Sequence, residues 1–250
     1  MRFVGTLLQA IIGFAILTVA WGLGGSLAQA SRASPQLFPG PAAVAEKVME
    51  LIATDTFQQH IWSSLTVLLY GLAPALVLAL LIGIACGASG VARWLLGPLV
   101  ITIAAAPVVA LLPLLVVWFS LSMTPKIVLV FLVAMFPAAN TILARWPKHR
   151  AAASDMDVDP LDETRPLSAM HRPPSRVAAI AAGLRIGVLF GVTALVVTEI
   201  TGSNSGLGYF VVMSGSLFNT AEAMAAALVI LVPTMAIGVF LQAIEEQLAG

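Results

Sequence analysis

Charge is what this sequence lacks most. Only 10% of its residues are Asp, Glu, Lys or Arg, while 60% are hydrophobic. A soluble domain spends about a quarter of its residues on charge to cover its surface. The shortage excludes a water-exposed globule, and lipid must cover most of the chain, in keeping with a mean hydropathy of +1.00. Basic and acidic residues balance at 12 each, so there is no excess positive field to recruit nucleic acid. Cysteine is almost missing. The single Cys86 lies inside an apolar run, which excludes a disulfide framework and a thiolate metal site. His60, His149 and His171 are scattered, without the HExxH spacing of a zinc site. No GxxxxGK[ST] phosphate loop occurs, so the chain does not carry its own ATPase.

Long apolar runs are present in place of charge. A bilayer core of about 30 Å takes roughly 20 apolar residues per helix, and six candidate spans meet that: about 6–28, 63–88, 95–119, 126–144, 178–201 and 222–244. The runs are continuous and do not alternate, which reads as helices and not as barrel strands. The expected fold is therefore an all-α membrane protein of about six transmembrane helices, one transmembrane domain over 1–250. The first run ends in LAQA, which resembles a cleavage site. It is longer than a signal-peptide core of about 7–15 residues and starts at Met1, so it reads as a membrane helix. With the N-terminus inside, Arg2, Arg93, Arg145, Lys148, Arg150, Arg165, Arg172, Arg176 and Arg185 fall on the cytoplasmic side, against Arg32, Lys47 and Lys126 outside. That asymmetry predicts N-in and, after an even number of spans, C-in.

The loops differ in kind. In the external segment 29–62, Pro39 and Pro41 precede Val44, Val48, Leu51 and Ile52 at helical spacing. This predicts a short amphipathic helix on the outer surface, a connector resting on lipid headgroups. The cytoplasmic loop 145–177 mixes six basic residues with Asp155, Asp157, Asp159, Asp162 and Glu163, and Pro147, Pro160, Pro166, Pro173 and Pro174 break any long helix there. Pro74, Pro98, Pro107, Pro113, Pro137 and Pro233 interrupt the apolar segments themselves. Each removes a backbone hydrogen bond that neighbours must make good. Beside the small residues of ITIAAAPVVALLP they favour a transport path over a simple anchor.

Several stretches together carry a resemblance: FPGPAAVAEKVMELI (38–52), HIWSSLTVLLYG (60–71), PVVALLPLLVVWFSLSMTPKIVLVFLVAMFPAANTI (107–142) and AAGLRIGVLFGVTALVVTEITGSNSGLGYFV (181–211). The chain resembles the permease subunit of a bacterial ABC importer, in the group handling sulfonates, taurine, nitrate and thiamine precursors. The resemblance implies a type I importer fold in the bacterial inner membrane. It also implies two cytosolic ATPases that bind ATP and Mg, a second permease, an external substrate-binding protein, and no cofactor in this chain. It places contact with the ATPase on the 145–177 loop, at Ala151, Ala152, Ala153, Asp155, Pro160, Arg165 and Pro173. It places the translocation path or gate at Pro107, Pro113, Asn140, Glu199, Gly206 and Gly208. The loop departs from the family pattern of Glu-Ala-Ala, a later Gly and a closing Leu-Pro. No acid precedes Ala151, no glycine lies between Pro147 and Pro174, and only the terminal proline remains. A heterodimer with a partner that keeps the pattern is one expectation, and a homodimer is the other.

Two readings of Glu199 stay open on the residues. It is a headgroup-level carboxylate capped by Thr201 and Ser203, or an outer gate or helix-packing residue beside a glycine-rich turn. An acid within a span marks a site by its cost. As a direct contact for an anionic solute it is unsuited, and Gly206 and Gly208 suit a turn needing positive φ or close backbone approach. Three classes of function remain: an ATPase-driven permease subunit, a self-contained channel or secondary transporter, and a structural membrane subunit. The second would call for inverted repeats or paired intramembrane charges, and the sequence has no clear repeat.

The orientation is checked by single cysteines in a Cys86→Ser background. Ser34→Cys and Ser216→Cys react with an impermeant maleimide in intact cells, whereas Ser154→Cys and Ser168→Cys react only after lysis. External labelling at Ser154→Cys overturns the topology.

Overall fold

The computed structural model describes residues 2–30, 37–147 and 175–249. Those residues are helical throughout, joined by short turns, with no strand among them. In chain order the helices are α1 (Arg2–Ala30), α2 (Pro41–Ile52), α3 (Asp55–Ala88), α4 (Gly90–Ala105), a 3-10 turn (Val108–Leu111), α5 (Leu112–Phe119), α6 (Met123–Arg145), α7 (Arg176–Gly202), α8 (Leu207–Ser216) and α9 (Thr220–Ala249). Four of them, α3, α6, α7 and α9, are long and apolar enough to cross a membrane, and α4 with α5 makes a fifth if that bent pair is one span. The protein is a multi-pass membrane protein. Local sequence sets several helix starts. Ser89, Ser122 and Ser175 sit at the N-caps of α4, α6 and α7, and each hydroxyl accepts a backbone N–H of the first turn. Pro41 opens α2, where a missing N–H costs nothing.

Helix α6 is the centre, packed between α3 and α7 with α4 alongside. Small residues allow the approach. Gly183, Gly187 and Gly191 recur every fourth position on α7 and lie against α6 and α3. A Cβ at Gly187 would stand 3.1 Å from the Ala138 Cβ, and one at Gly191 would stand 3.5 Å from the Ala134 Cβ. Without water to expel between helices in lipid, packing of this closeness is the main attraction available. The bilayer side is apolar: Leu69, Val77 and Leu81 of α3 and Leu231 and Phe240 of α9 are exposed.

Several expectations from the sequence need correction or adjustment. The run 95–119 is not one continuous helix. It breaks after Ala105, and the two halves are bent by 78°. Ala106 is extended and Pro107 leads into the 3-10 turn, because a residue before proline is driven out of the helical region. Pro113 opens α5 and does not kink it. Helices α3, α4, α6 and α9 run unbroken through Pro74, Pro98, Pro137 and Pro233. The short helix expected after Pro41 forms as α2, but its apolar face rests on protein and not on lipid headgroups. Val44 and Leu51 are buried in one cluster with Phe57, Leu207, Phe210, Ala225 and Ala226, and the Trp21 indole N–H of α1 donates to the Pro39 carbonyl at 3.2 Å. The helix that carries the second span, α3, begins at Asp55. It has 34 residues, about 51 Å at the α-helical rise, more than the roughly 30 Å of a bilayer core. Ala151, Ala152, Ala153, Asp155, Pro160, Arg165 and Pro173 lie outside the described residues.

The glycine stripe generates a stability test. Gly187→Val overpacks the α6–α7 contact and lowers unfolding stability in detergent by about 1–3 kcal/mol. Gly24→Val, where nothing lies within 4 Å of an added Cβ, leaves it unchanged. A thermal-shift measurement on both variants checks this, and equal melting refutes the close-packing role.

Candidate functional site

Helix α7 ends at Gly202, and α8 starts five residues later at Leu207. A chain reversing so soon leaves the first N–H groups of α8 without intrahelical partners. Three successive N–H groups at this turn are each taken by a side chain from another element. The Gly206 N–H donates to His60 Nδ1 at 3.1 Å, the Leu207 N–H to Ser64 Oγ at 2.8 Å, and the Gly208 N–H to Glu199 Oε2 at 2.8 Å. The Ser64 hydroxyl donates in turn to Glu199 Oε1 at 2.6 Å. Glu199 is 1% exposed. A carboxylate at a helix N-terminus also meets the positive end of the helix dipole. Thr201 donates to its own helix, at the Val197 carbonyl, and Ser203 belongs to a neighbouring network, so neither caps Glu199.

The glycines follow from this arrangement. Gly206 has φ +110°, a backbone region open to glycine and few others. A Cβ at Gly208 would stand 2.8 Å from the Glu199 Cβ and 3.0 Å from the Val196 carbonyl. Beside them a second network closes the turn. The buried Lys126 ammonium donates to Ser203 Oγ at 2.7 Å, and the Ser205 N–H donates to the same oxygen at 3.1 Å. The Ser205 and Ser63 hydroxyls are 2.9 Å apart. Helices α3, α6, α7 and α8 are thus tied at one end of the bundle by His60, Ser63, Ser64, Lys126 and Glu199. With both oxygens engaged by protein donors, the Glu199 carboxylate holds the turn and offers nothing to a passing anion.

The other residues expected on a path do not join this group. Pro107 lines a separate apolar cavity of about 170 Å³ with Pro137, Phe190 and Thr193. Pro113 is exposed at the start of α5, and Asn140 is half-buried on α6. Sequence reasoning passed over His60, Ser63 and Ser64 as site residues and took Lys126 only as an external charge. No spacing signal could have found them, since Ser64 and Glu199 are 135 residues apart. Among the described residues no cluster of three His, Cys, Asp or Glu side chains could hold a metal.

No family model matches the chain. Individual proteins do. It is 30% identical over 244 residues to the taurine transport system permease protein TauC of Escherichia coli (strain K12), covering 93% of this chain and 85% of the relative. It is 26% identical over 203 residues to the formylaminopyrimidine transport permease protein ThiX of Halalkalibacterium halodurans, covering 81% and 79%. It is 26% identical over 223 residues to the riboflavin transport system permease protein RibX of Chloroflexus aurantiacus, covering 88% and 81%. The chain belongs to the ABC transporter permeases. Within that family its relatives fall in the nitrate, sulfonate and taurine group.

In this permease, Glu199 and Ser64 also form part of the wall of a cavity of about 250 Å³ between α3, α7 and α9. The rest of its lining is chiefly aliphatic, with Leu65, Leu68, Leu195, Val229 and Ile230. The opposite end of the bundle carries another polar cluster. Glu245 of α9 is paired with both Arg145 of α6 and Arg185 of α7, the latter at 3.0 Å.

The capping role of Glu199 is checked by substitution. Glu199→Ala strands the Ser64 hydroxyl and the Gly208 N–H, and each buried group without a partner costs about 1–3 kcal/mol. Glu199→Gln keeps one oxygen for the Gly208 N–H and loses less. Melting temperatures in detergent should fall in the order wild type, Gln, Ala. A Glu199→Ala variant as stable as wild type removes the carboxylate from its capping role.

Proposed function

We propose that this permease is one of two membrane subunits of an ATP-driven importer in the bacterial inner membrane. It forms the translocation path for a small solute of the sulfonate, nitrate or thiamine-precursor class. Two cytosolic ATPase subunits bind ATP and Mg, and an external binding protein delivers the solute. The observation that carries this reading is the likeness to a taurine permease along nearly the whole chain. The six spans are α1, α3, the broken pair α4 and α5, α6, α7 and α9. The N-terminus and C-terminus both lie inside. The distribution of basic side chains supports that orientation. Arg145, Arg176 and Arg185 gather at the end of the bundle that carries Glu245. Lys47, near Glu222 at the start of α9, and Lys126 lie at the end that carries Glu199.

The cargo classes of the relatives differ widely, from a sulfonate to a flavin. An aliphatic wall such as that beside Glu199 suits this range, because apolar contact tolerates shape where paired polar groups would discriminate. Pro107, Pro113 and Asn140 are assigned to the path, and Glu199, Gly206 and Gly208 to the fixed outer end of the subunit.

The reading is tested in proteoliposomes. The permease with its ATPase and binding protein concentrates solute only when ATP is supplied, and the permease alone neither hydrolyses ATP nor concentrates solute. Uphill uptake by the lone chain on a proton or sodium gradient would replace the reading with a secondary transporter. Intact-mass measurement of the complex, with subunits identified, separates a homodimer from a pair of different permeases.

A further inference from the structure

The chain leaves the described structure after Pro147 and re-enters at Ser175. Both points are tied to the last turns of α9. At the exit, Arg145 pairs with Glu245. At the re-entry, the Ser175 hydroxyl donates to the Leu248 carbonyl at 2.8 Å. The two points are also tied to each other, since the Arg176 guanidinium lies 5.8 Å from the centre of the Trp146 ring. Trp146 is itself buried, and it packs against Gly87 of α3. Arg185, two turns and more into α7, takes the second oxygen of Glu245.

Glu245 is 9% exposed and carries two cations from two helices. One carboxylate bridging two guanidiniums at low exposure is strongly held, and removing it takes that shared partner from both cations. The arginines differ in what they reach. Arg185 joins α7 to α9 within the bundle. Arg145 is the last residue of α6, so it joins α9 to the end from which the cytoplasmic segment departs. Nothing in the packing of the apolar spans requires an acid there.

We propose that Glu245 is a positioning residue for energy coupling: through Arg145 it fixes the cytoplasmic end of α6 to α9, so that displacement of that end by the ATPase moves α6, α7 and α9 together. This rests on the importer reading. It makes the C-terminal turns of α9 a part of the coupling machinery, which the divergent loop sequence alone does not reveal.

Two measurements test it. On the isolated permease, hydrogen exchange in peptides covering 138–146 and 175–185 rises in Glu245→Gln and in Arg145→Gln. Unchanged exchange in both variants overturns the clamp, and this result does not depend on any ATPase. In the full complex, Glu245→Gln and Arg145→Gln keep ATP hydrolysis but lower solute taken up per ATP by about fivefold, the lower range of coupling between sites. Glu245→Asp restores part of it, and Arg185→Gln, whose bond lies within the bundle, changes melting temperature more than the uptake ratio. An uptake ratio unchanged in Glu245→Gln, or lowered equally by Arg185→Gln, overturns the positioning role and leaves a structural ion pair. A wild-type complex that hydrolyses ATP without uptake counts against the importer reading instead, and the exchange result then decides the clamp.

Discussion

A backbone N–H at the end of a helix must find an acceptor, and in a membrane water cannot be relied on to supply one. The end of this permease that carries Glu199 is organised by that constraint. The chain reverses between α7 and α8 within a few residues, which exposes three N–H groups in a row. His60, Ser64 and Glu199 take one each. Because two of the acceptors come from α3 and one from α7, satisfying the turn also fixes the two helices to each other. The unfavourable burial of Glu199 is offset by two short hydrogen bonds and a helix dipole. Gly206 and Gly208 are then determined, since the carboxyl occupies the space a side chain would need.

The opposite end uses charge instead of capping. Arg145, Arg185 and Glu245 join α6, α7 and α9, and Arg93 donates to the Leu143 carbonyl at 3.2 Å, adding α4. Between the two ends the contacts are apolar and close, with Gly183, Gly187 and Gly191 against α6 and α3. Polar ties at the ends set register and orientation, while small residues in the middle set distance.

Much of this was legible in the sequence, and the limits have physical causes. Continuous apolar runs identified α3, α6, α7 and α9, because lipid imposes length and hydropathy directly on sequence. The helix at α2 was legible from its spacing, but its partner was not: the same apolar face suits lipid headgroups or the Phe57–Phe210 cluster. Proline was the least readable signal. Ala73–Pro74 and Ala106–Pro107 are the same dipeptide, yet α3 runs through the first and the chain breaks at the second. The difference is tertiary. Gly71, Ala75 and Ala79 around Pro74 are buried in the bundle and keep α3 in place, whereas at the break the Ala106 N–H donates at 3.1 Å to the Ile103 carbonyl, the acceptor that Pro107 cannot serve. Glu199 stood out as an acid in an apolar span, but its partners Ser64 and Gly208 could be found only in three dimensions.

The placement of polar contacts also constrains how the subunit can move. Separating α7 and α8 from α3 at the Glu199 end would take Ser64 from a buried carboxylate and strand the Gly206 and Leu207 N–H groups. Separating α7 from α9 at the opposite end would take Arg185 from Glu245, which would keep Arg145 alone. Apolar surfaces impose no such penalty, since one lipid-like contact can replace another. The exposed aliphatic faces of α3, α5 and α9 are surfaces of that kind. A helix bundle tied at both ends by directional bonds and bordered by interchangeable apolar surface resists bending within itself more than displacement as a body against whatever lies beside it. In a transport permease, that division of stiffness favours movement of the bundle as a unit.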